Sequence, residues 1–179
     1  MGLTPRDWLL REIQVNPVLR QRVTGEKKMY FPFAEFLLKK KHCNYVSKRT
    51  RRICKRMFEP DLIGYRENQE ELTVVAVEAK AKGGDIVKGI GQAITSLDFV
   101  NESWLVIHSD DYYRTNDEIW SKWIEHIREF TERNGIGLAL MKQGRGGWGW
   151  NWNVHEVIHE PKRFDKPPLF LQQWGFESN

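Results

Sequence analysis

The sequence predicts an α/β fold in which a mixed central β-sheet is flanked by helices on both sides. Residues 86–97 and 120–130 place apolar side chains at the three- and four-residue spacing of amphipathic helices. Residues 103–109 and 136–142 are short, continuous apolar runs of the kind that form buried strands. Because these helices and strands alternate along the chain after an earlier antiparallel hairpin, we expect the sheet to be mixed.

Length and composition indicate one domain. The chain has 179 residues, of which 40% are hydrophobic and 29% charged, as is typical of a globular protein with its own core. We predict a single domain over 1–179, with a helical N-terminal extension (1–25), a core (30–160) and a C-terminal tail (161–179). No apolar run is long enough to span a bilayer, and no signal peptide is recognisable. The two cysteines suggest neither a zinc site nor a disulfide framework, so we expect a cytoplasmic, intracellular protein.

The first half of the chain predicts helices followed by a hairpin. Two short helices are expected between residues 4 and 24, where a capping residue twice precedes proline. A further helix is predicted over "FPFAEFLLKKK" (31–41), which has apolar residues on one face. Strand-like sequence follows over 44–65, and the polar stretch 66–72 forms the turn into a strand at 72–82.

The second half predicts alternating helices and strands. A helix is expected over 83–100, although its internal glycines either weaken it or mark close approach to a neighbour. The buried strand 103–109 precedes the clearest helix, 116–135, which ends at an Asn-Gly stop signal. A second buried strand, 136–142, is followed by an alternating, half-exposed strand over 148–160.

Positive charge is concentrated between residues 39 and 56, which contain nine Lys and Arg and no Asp or Glu. Because the net charge of the whole chain is only +4, the remainder is net acidic. Such a cluster is typical of a surface that binds a polyanion, although a charge run can also simply solubilise a face. We predict nucleic-acid contacts from six residues of this segment and two later lysines: Lys48, Arg49, Arg51, Arg52, Lys55, Arg56, Lys82 and Lys88.

Charged residues interrupt the predicted strand at 72–82. In "LTVVAVEAKAK", Glu78 and Lys80 are two residues apart and therefore share one face of the strand. One interpretation is an ordinary surface hairpin on which the two side chains pair in solvent. The other is that they form part of a site.

A carboxylate on the preceding strand favours the second interpretation. If the chain turns back within the polar stretch, Asp61 falls opposite residue 76, about one same-face step from Glu78. Neighbouring carboxylates repel each other, and a hard divalent cation removes that cost. We therefore predict a Mg²⁺ (or Mn²⁺) site formed by Asp61, Glu78 and the backbone carbonyl of Ala79, with Lys80 beside it.

Residues 60–61 (Pro-Asp) and 78–80 (Glu-Ala-Lys) resemble the signature of the PD-(D/E)xK nuclease superfamily. Within it, "PDLIGY", "VEAK" and "GQAITSLDFV" look most like the archaeal Holliday-junction resolvases and related nucleases. The resemblance covers roughly residues 30–110, with a looser match in element order to about 160. It implies a restriction-endonuclease-like core.

The resemblance adds two candidate site residues. The family usually has an acidic residue on the helix before the hairpin, which corresponds to Glu35, and often a glutamine on the following helix, which corresponds to Gln92. Gln92 shares a helix side with Lys88 and Ser96. The implied catalytic set is Asp61, Glu78, Lys80, Glu35 and Gln92.

The resemblance implies a Mg²⁺-dependent DNA endonuclease that hydrolyses phosphodiester bonds on recombination, repair or replication intermediates such as branched DNA. Lys80 would position or deprotonate the attacking water. A homodimer is expected, because cutting two strands needs two active sites. The alternatives are a non-cleaving nucleic-acid-binding protein of the same fold and a nuclease that acts on RNA.

The remaining aromatic and imidazole side chains are interpreted as structural. Trp148, Trp150 and Trp152 alternate on one face of the last predicted strand. Such a row can stack on unpaired bases, but core packing or a dimer contact is favoured. The five histidines are scattered and are interpreted as ordinary polar residues.

Overall fold

The computed structural model describes residues 27–47, 59–68, 71–113, 117–144 and 152–165. The predicted N-terminal helices, the basic residues from Lys48 to Arg56, and Trp148 and Trp150 lie outside these residues. Within the described part of the chain, no helix is long and apolar enough to cross a membrane.

Four helices and six strands make up the described residues. The helices are α1 (Lys27–Lys40), α2 (Ile86–Ser96), α3 (Ser109–Tyr112) and α4 (Glu118–Arg133). The strands are β1 (Tyr45–Ser47), β2 (Leu62–Asn68), β3 (Glu71–Lys80), β4 (Glu102–His108), β5 (Gly137–Gln143) and β6 (Trp152–His159).

The strands form one six-stranded sheet whose spatial order follows the chain, from β1 to β6. β1, β2 and β3 pair antiparallel, β3, β4 and β5 pair parallel, and β6 pairs antiparallel with β5. Helices make the two parallel connections, since α2 lies between β3 and β4 and both α3 and α4 lie between β4 and β5. The predicted α/β fold with a mixed sheet is therefore confirmed.

Helices cover both faces of the sheet. On one side, which we call the α1 face, helix residues including Phe33 and Leu37 pack on Val77 and Trp104 of the central strands. The rings of Phe33 and Trp104 meet edge to face, with their centroids 5.7 Å apart. On the other side, the α2 face, α2 and α4 cover an aliphatic cluster of Ile86, Ala93, Leu105, Ile107, Ile124, Ile127, Ile136, Leu138 and Leu140. Successive strand residues alternate between these two faces.

Helix α1 begins earlier than predicted. It starts at Lys27 rather than at residue 31, and Pro32 lies inside it. Met29 is fully buried and lies four residues before Phe33, so it extends the apolar stripe by one turn. The predicted start at residue 31 followed the phenylalanine-rich stretch and therefore missed this first turn.

Candidate functional site

The central predicted site residues lie at one end of the sheet. Because β3, β4 and β5 are parallel, their carboxyl ends lie along the same edge, which also holds the first residues of β2 and β6. Lys80 and His108 are the last residues of β3 and β4, and Asp61 immediately precedes β2. We call this end the carboxyl edge. Ligands of open α/β sheets bind outside the carboxyl ends of the strands.

Asp61 is tied to β3 by both its backbone and its side chain. Its N–H donates to the carbonyl of Val77 over 2.9 Å, and its Oδ2 accepts from the N–H of Ala79 over 2.8 Å. The expected position opposite residue 76 is wrong, because Leu62 pairs with Val77 and Asp61 therefore lies beside Glu78. Asn68 pairs with Glu71, so the chain folds back one residue later than expected, and this brings the two carboxylates of the predicted pair closer along the strands.

Tyr30 completes the support of Asp61 from the α1 face. Its hydroxyl donates to Asp61 Oδ1, so each carboxylate oxygen of Asp61 accepts a hydrogen bond from a different element. Such a carboxylate is held in one rotamer. Sequence reasoning missed Tyr30 because the helix was expected to begin after it. A helix start at Lys27 would have placed it one residue after the buried Met29.

Glu78 and Lys80 form a buried ion pair on the α2 face. Glu78 Oε1 lies 2.7 Å from Lys80 Nζ, and the two residues are only 3% and 7% exposed. Their neighbours across the parallel ladder are Leu105 and Ile107, both fully buried. The interpretation of a solvent-exposed surface pair is therefore wrong. Removing two charges from water costs several kcal/mol for each ion before their attraction is counted.

Helix α2 fits closely over the lysine of this pair. A Cβ added to Gly89 would lie 2.8 Å from Lys80 Cε and 2.9 Å from Lys80 Cγ. The glycine therefore marks a close approach, as one interpretation of the sequence allowed, whereas a Cβ on Gly91 would meet nothing within 4 Å. Gln92 lies three residues after Gly89, and its buried Oε1 accepts no hydrogen bond from the described residues.

Glu35, which the resemblance adds to the predicted catalytic set, does not lie in this cluster. Its carboxylate pairs with Lys39, one turn further along α1, and its side chain is 60% exposed. The buried side of α1 is set by Phe33 and Leu37, and Glu35 lies on the opposite side of the helix. Tyr30, not Glu35, is the α1 residue that reaches Asp61.

The two predicted nucleic-acid contacts that are described lie near the carboxyl edge. Lys82 follows β3, its side chain is 64% exposed, and its Nζ lies 2.8 Å from Asp110 Oδ2. Lys88 is exposed in the first turn of α2, which Asp85 caps by accepting a hydrogen bond from the Lys88 N–H. The side chains of both lysines are therefore accessible to a polyanion at this edge.

The residue types of the predicted cation site are ones that Mg²⁺ can use. Among the described residues, no group of three or more His, Cys, Asp and Glu side chains is arranged to hold a metal ion. The predicted set is smaller, with the neighbouring carboxylates of Asp61 and Glu78 and the carbonyl of Ala79. Mg²⁺ usually takes one or two carboxylates from a protein and completes its octahedron with water and phosphate oxygens.

Two other residues considered in the sequence are part of the core. Burial raises the pKa of the Cys43 thiol to about 12, so the thiol stays protonated and unreactive. Trp152 is half-buried against the cluster of the α1 face, as expected for a packing role. Its ring also contacts His108 at the carboxyl edge, a residue that sequence reasoning did not single out. The sequence signal that could have identified His108 is a polar residue at the end of a predicted parallel strand.

Comparison with protein-family models, curated proteins and solved structures finds no match for this chain.

Proposed function

We propose that this chain is a Mg²⁺-dependent endonuclease that hydrolyses phosphodiester bonds of DNA, with recombination, repair or replication intermediates such as branched DNA as its substrates. The observation that carries the proposal is the buried Glu78–Lys80 pair at the carboxyl edge, next to the doubly hydrogen-bonded carboxylate of Asp61. The resemblance of these residues to the PD-(D/E)xK signature supports phosphodiesters as the substrate class.

The cost of the ion pair supports a functional role. Apolar side chains of similar volume are often as stable as a buried ion pair or more stable. The neighbouring positions Leu105 and Ile107 show that this part of the sheet accepts such side chains. Charged groups kept at a cost in stability, at an edge where ligands bind, are characteristic of active sites.

In this proposal Asp61, Glu78 and the carbonyl of Ala79 hold the cation. When bound, Mg²⁺ supplies electrostatic stabilisation of the negative charge that develops on the phosphate during hydrolysis. The hydrogen bonds from Tyr30 and from the Ala79 N–H fix the Asp61 carboxylate before the substrate arrives, so little reorganisation is needed.

Lys80 acts on the attacking water and the phosphate. Its ammonium group is kept beside Glu78, from which it can orient the water and offset charge on a phosphate oxygen. The contact of its aliphatic stem with α2 at Gly89 limits the positions that the ammonium group can take. Gln92, on the same helix, has an amide next to this region that can hydrogen-bond the water or the substrate.

The test is a cleavage assay with purified protein on supercoiled plasmid, single-stranded DNA, branched DNA and RNA. We expect DNA cleavage with Mg²⁺ or Mn²⁺, binding with little turnover in Ca²⁺, and no cleavage in EDTA. Glu78→Gln should abolish cleavage. Glu118→Gln, which alters an exposed glutamate on α4, is the matched control and should leave it unchanged. Cleavage that persists in excess EDTA, or in purified Glu78→Gln protein, would exclude the proposal, and cleavage of RNA alone would replace DNA as the substrate.

A further inference from the structure

His108 ends the central parallel strand β4 at the carboxyl edge, and the proposed cleavage chemistry does not use it. The residue is only 6% exposed. Its ring lies edge to face against Trp152, with centroids 5.1 Å apart and an interplanar angle of 84°. A buried imidazole at the edge where ligands bind is a candidate for substrate recognition.

The structure assigns the hydrogen-bonding role of each ring nitrogen. The backbone N–H of Asp110 donates to His108 Nδ1 over 3.0 Å, so Nδ1 is the acceptor. A neutral imidazole carries one proton, which must therefore be on Nε2. Asp110 Oδ1 lies 3.8 Å from Nδ1, beyond hydrogen-bond distance, and does not compete for this nitrogen.

The surroundings of the ring keep it neutral. Burial lowers the pKa of His108, and this effect outweighs the opposing influence of the Asp110 and Asp111 carboxylates. The nearby ammonium of Lys82 lowers the pKa further. At neutral pH the ring is therefore an uncharged donor of one hydrogen bond through Nε2.

The one hydrogen bond of the His108 ring among the described residues is the one that Nδ1 accepts, so the Nε2 proton is available to a ligand at the carboxyl edge. The ring of Trp152 contacts His108, and its buried Nε1 has no hydrogen-bond partner among the described residues. Buried polar groups are nearly always satisfied, and unsatisfied ones call for an explanation such as a ligand. A ligand that binds the Nε2–H of His108 must carry an acceptor atom.

The ammonium group of Lys82 lies close enough to His108 to affect its titration. Lys82 is held by Asp110, the residue whose backbone N–H also binds His108. The N–H of Gly83 donates to Asp111 Oδ2 over 2.9 Å, so the loop after β3 is tied to the turn after β4. Lys82 and His108 therefore share Asp110 as a partner, and a cation next to a hydrogen-bond donor suits an acceptor that is also anionic.

We propose that His108 contacts the substrate, with its Nε2–H donating to a non-bridging phosphate oxygen of DNA that lies across the carboxyl edge beside Lys82. This inference rests on the proposed function, because it takes the ligand to be a nucleic acid. Neutral donors of this kind fix the position of a nucleic acid backbone without reading its sequence. His108 would thus hold a phosphate near the one that is cleaved.

Two variants of His108 separate this role from a structural one. His108→Asn keeps a side-chain oxygen that can accept from the Asp110 N–H, because asparagine is a favoured cap, but it has no donor at the position of Nε2. His108→Gln presents an amide N–H close to the position of Nε2. Binding is measured by fluorescence anisotropy with a labelled oligonucleotide duplex in Ca²⁺, across a salt series, beside the melting temperature of each variant.

We expect His108→Asn to bind roughly tenfold more weakly, the size of one lost hydrogen bond to a charged group, and His108→Gln to retain most of the affinity. Because the donor is neutral, the slope of log Kd against log salt should stay unchanged in both variants. In the charged control Lys82→Gln, the slope should fall by about 0.9.

Binding by His108→Asn that equals that of the unaltered protein overturns the inference. Equal losses in the Asn and Gln variants overturn it too, because they show that only the ring shape matters. If the unaltered protein binds DNA without cutting it, the proposed function fails while the His108 inference is still tested. If it binds no DNA, both fail together.

Discussion

Two Glu–Lys ion pairs in this protein have nearly the same length and opposite surroundings. Glu78 and Lys80 are 2.7 Å apart on β3, and their side chains are 4% and 8% exposed. Glu118 and Lys122 are 2.8 Å apart on the first turns of α4, and their side chains are 83% and 73% exposed. Contact distance alone does not distinguish them, so their difference lies in what surrounds them.

The exposed pair is explained by helix stability. A glutamate four residues before a lysine on a helix surface contributes about 0.3–0.5 kcal/mol, and salt screens it. The buried pair has no comparable explanation, because the desolvation of two charges offsets most or all of their attraction. It also lies at the carboxyl edge beside Asp61, whereas the exposed pair lies on the outer surface of a helix. The comparison therefore supports the proposal that the buried pair serves function, whereas helix stability is enough to explain the exposed one.

Cleavage should give the largest difference between the pairs. Glu78→Gln and Lys80→Ala should each abolish detectable DNA cleavage, a fall of at least about a hundredfold, because each removes a charge that acts on the reacting phosphate. Glu118→Gln and Lys122→Ala should cleave at the unaltered rate. Initial rates with Mg²⁺ at saturating DNA are the measurement. Equal rates for both sets of variants would remove the functional distinction.

The unfolding free energy should also distinguish the buried ion pair from the exposed one. Lys80→Met alone leaves the Glu78 carboxylate buried without its cation and should cost about 3–5 kcal/mol of unfolding free energy. The double variant Glu78→Leu/Lys80→Met should recover most of that loss, because similar apolar side chains surround the pair.

Urea denaturation of both single variants and the double variant gives the coupling energy of the pair. The same cycle at Glu118 and Lys122 should give less than about 1 kcal/mol. A double variant of the buried pair that stays as unstable as Lys80→Met would mean that the pair itself stabilises the fold, and the comparison would then lose its energetic basis.

Periodicity was sufficient to predict the α/β class with its mixed sheet and the shared strand face of two candidate site residues. The apolar stripes on α2 and α4 and the continuous apolar strands follow directly from the sequence. So does the shared face of Glu78 and Lys80, because strand side chains alternate strictly. Their burial was not predictable in the same way, since it depends on α2 lying against the strand at Gly89.

The register of Asp61 and the choice between Tyr30 and Glu35 could not be derived from local patterns. A change in the length of the hairpin turn moves Asp61 along β3, and the polar stretch that forms the turn allows several lengths. Which α1 residue reaches the site depends on the helix start and on its rotation over the sheet. Met29 and Phe33 fix that rotation through tertiary contacts, and it directs Tyr30 to Asp61.

A smaller effect is expected where α2 contacts the buried pair. Gly89→Ala adds a Cβ 2.8 Å from Lys80 Cε and 3.0 Å from Leu105 Cδ1, so the lysine stem must shift. We expect a loss of about 1–2 kcal/mol, since overpacking outweighs the better helix propensity of alanine. Cleavage should fall as well, because the Lys80 ammonium moves from its place beside Glu78.

Gly91→Ala is the matched control on the same helix. Its added Cβ meets nothing within 4 Å, so the variant should gain up to about 1 kcal/mol from helix propensity and cleave normally. Thermal denaturation and cleavage rates of the two variants are the measurements. Similar melting temperatures for both would show that the space over Lys80 is less restricted than the contact at Gly89 indicates.

The smallest effect on stability and cleavage is expected at the hydrogen bond that Asp61, the second carboxylate of the candidate site, accepts from Tyr30. Tyr30→Phe removes the hydroxyl that donates to Asp61 Oδ1 but leaves the hydrogen bond from the Ala79 N–H. The unfolding free energy should fall by about 1 kcal/mol, the usual value of one hydrogen bond. Cleavage should fall by about tenfold, less than for Glu78→Gln, because the carboxylate keeps its charge and loses only part of its orientation.

Tyr45→Phe on β1 is the control for Tyr30→Phe, because its ring stacks on Tyr65, away from the carboxyl edge. A Tyr30→Phe variant that loses stability but cleaves normally would make the hydroxyl structural. If Tyr30→Phe loses cleavage with little loss of stability, the conclusion drawn from the two ion pairs applies to Asp61 as well. Both carboxylates of the site would then be held by contacts that serve the chemistry more than the fold.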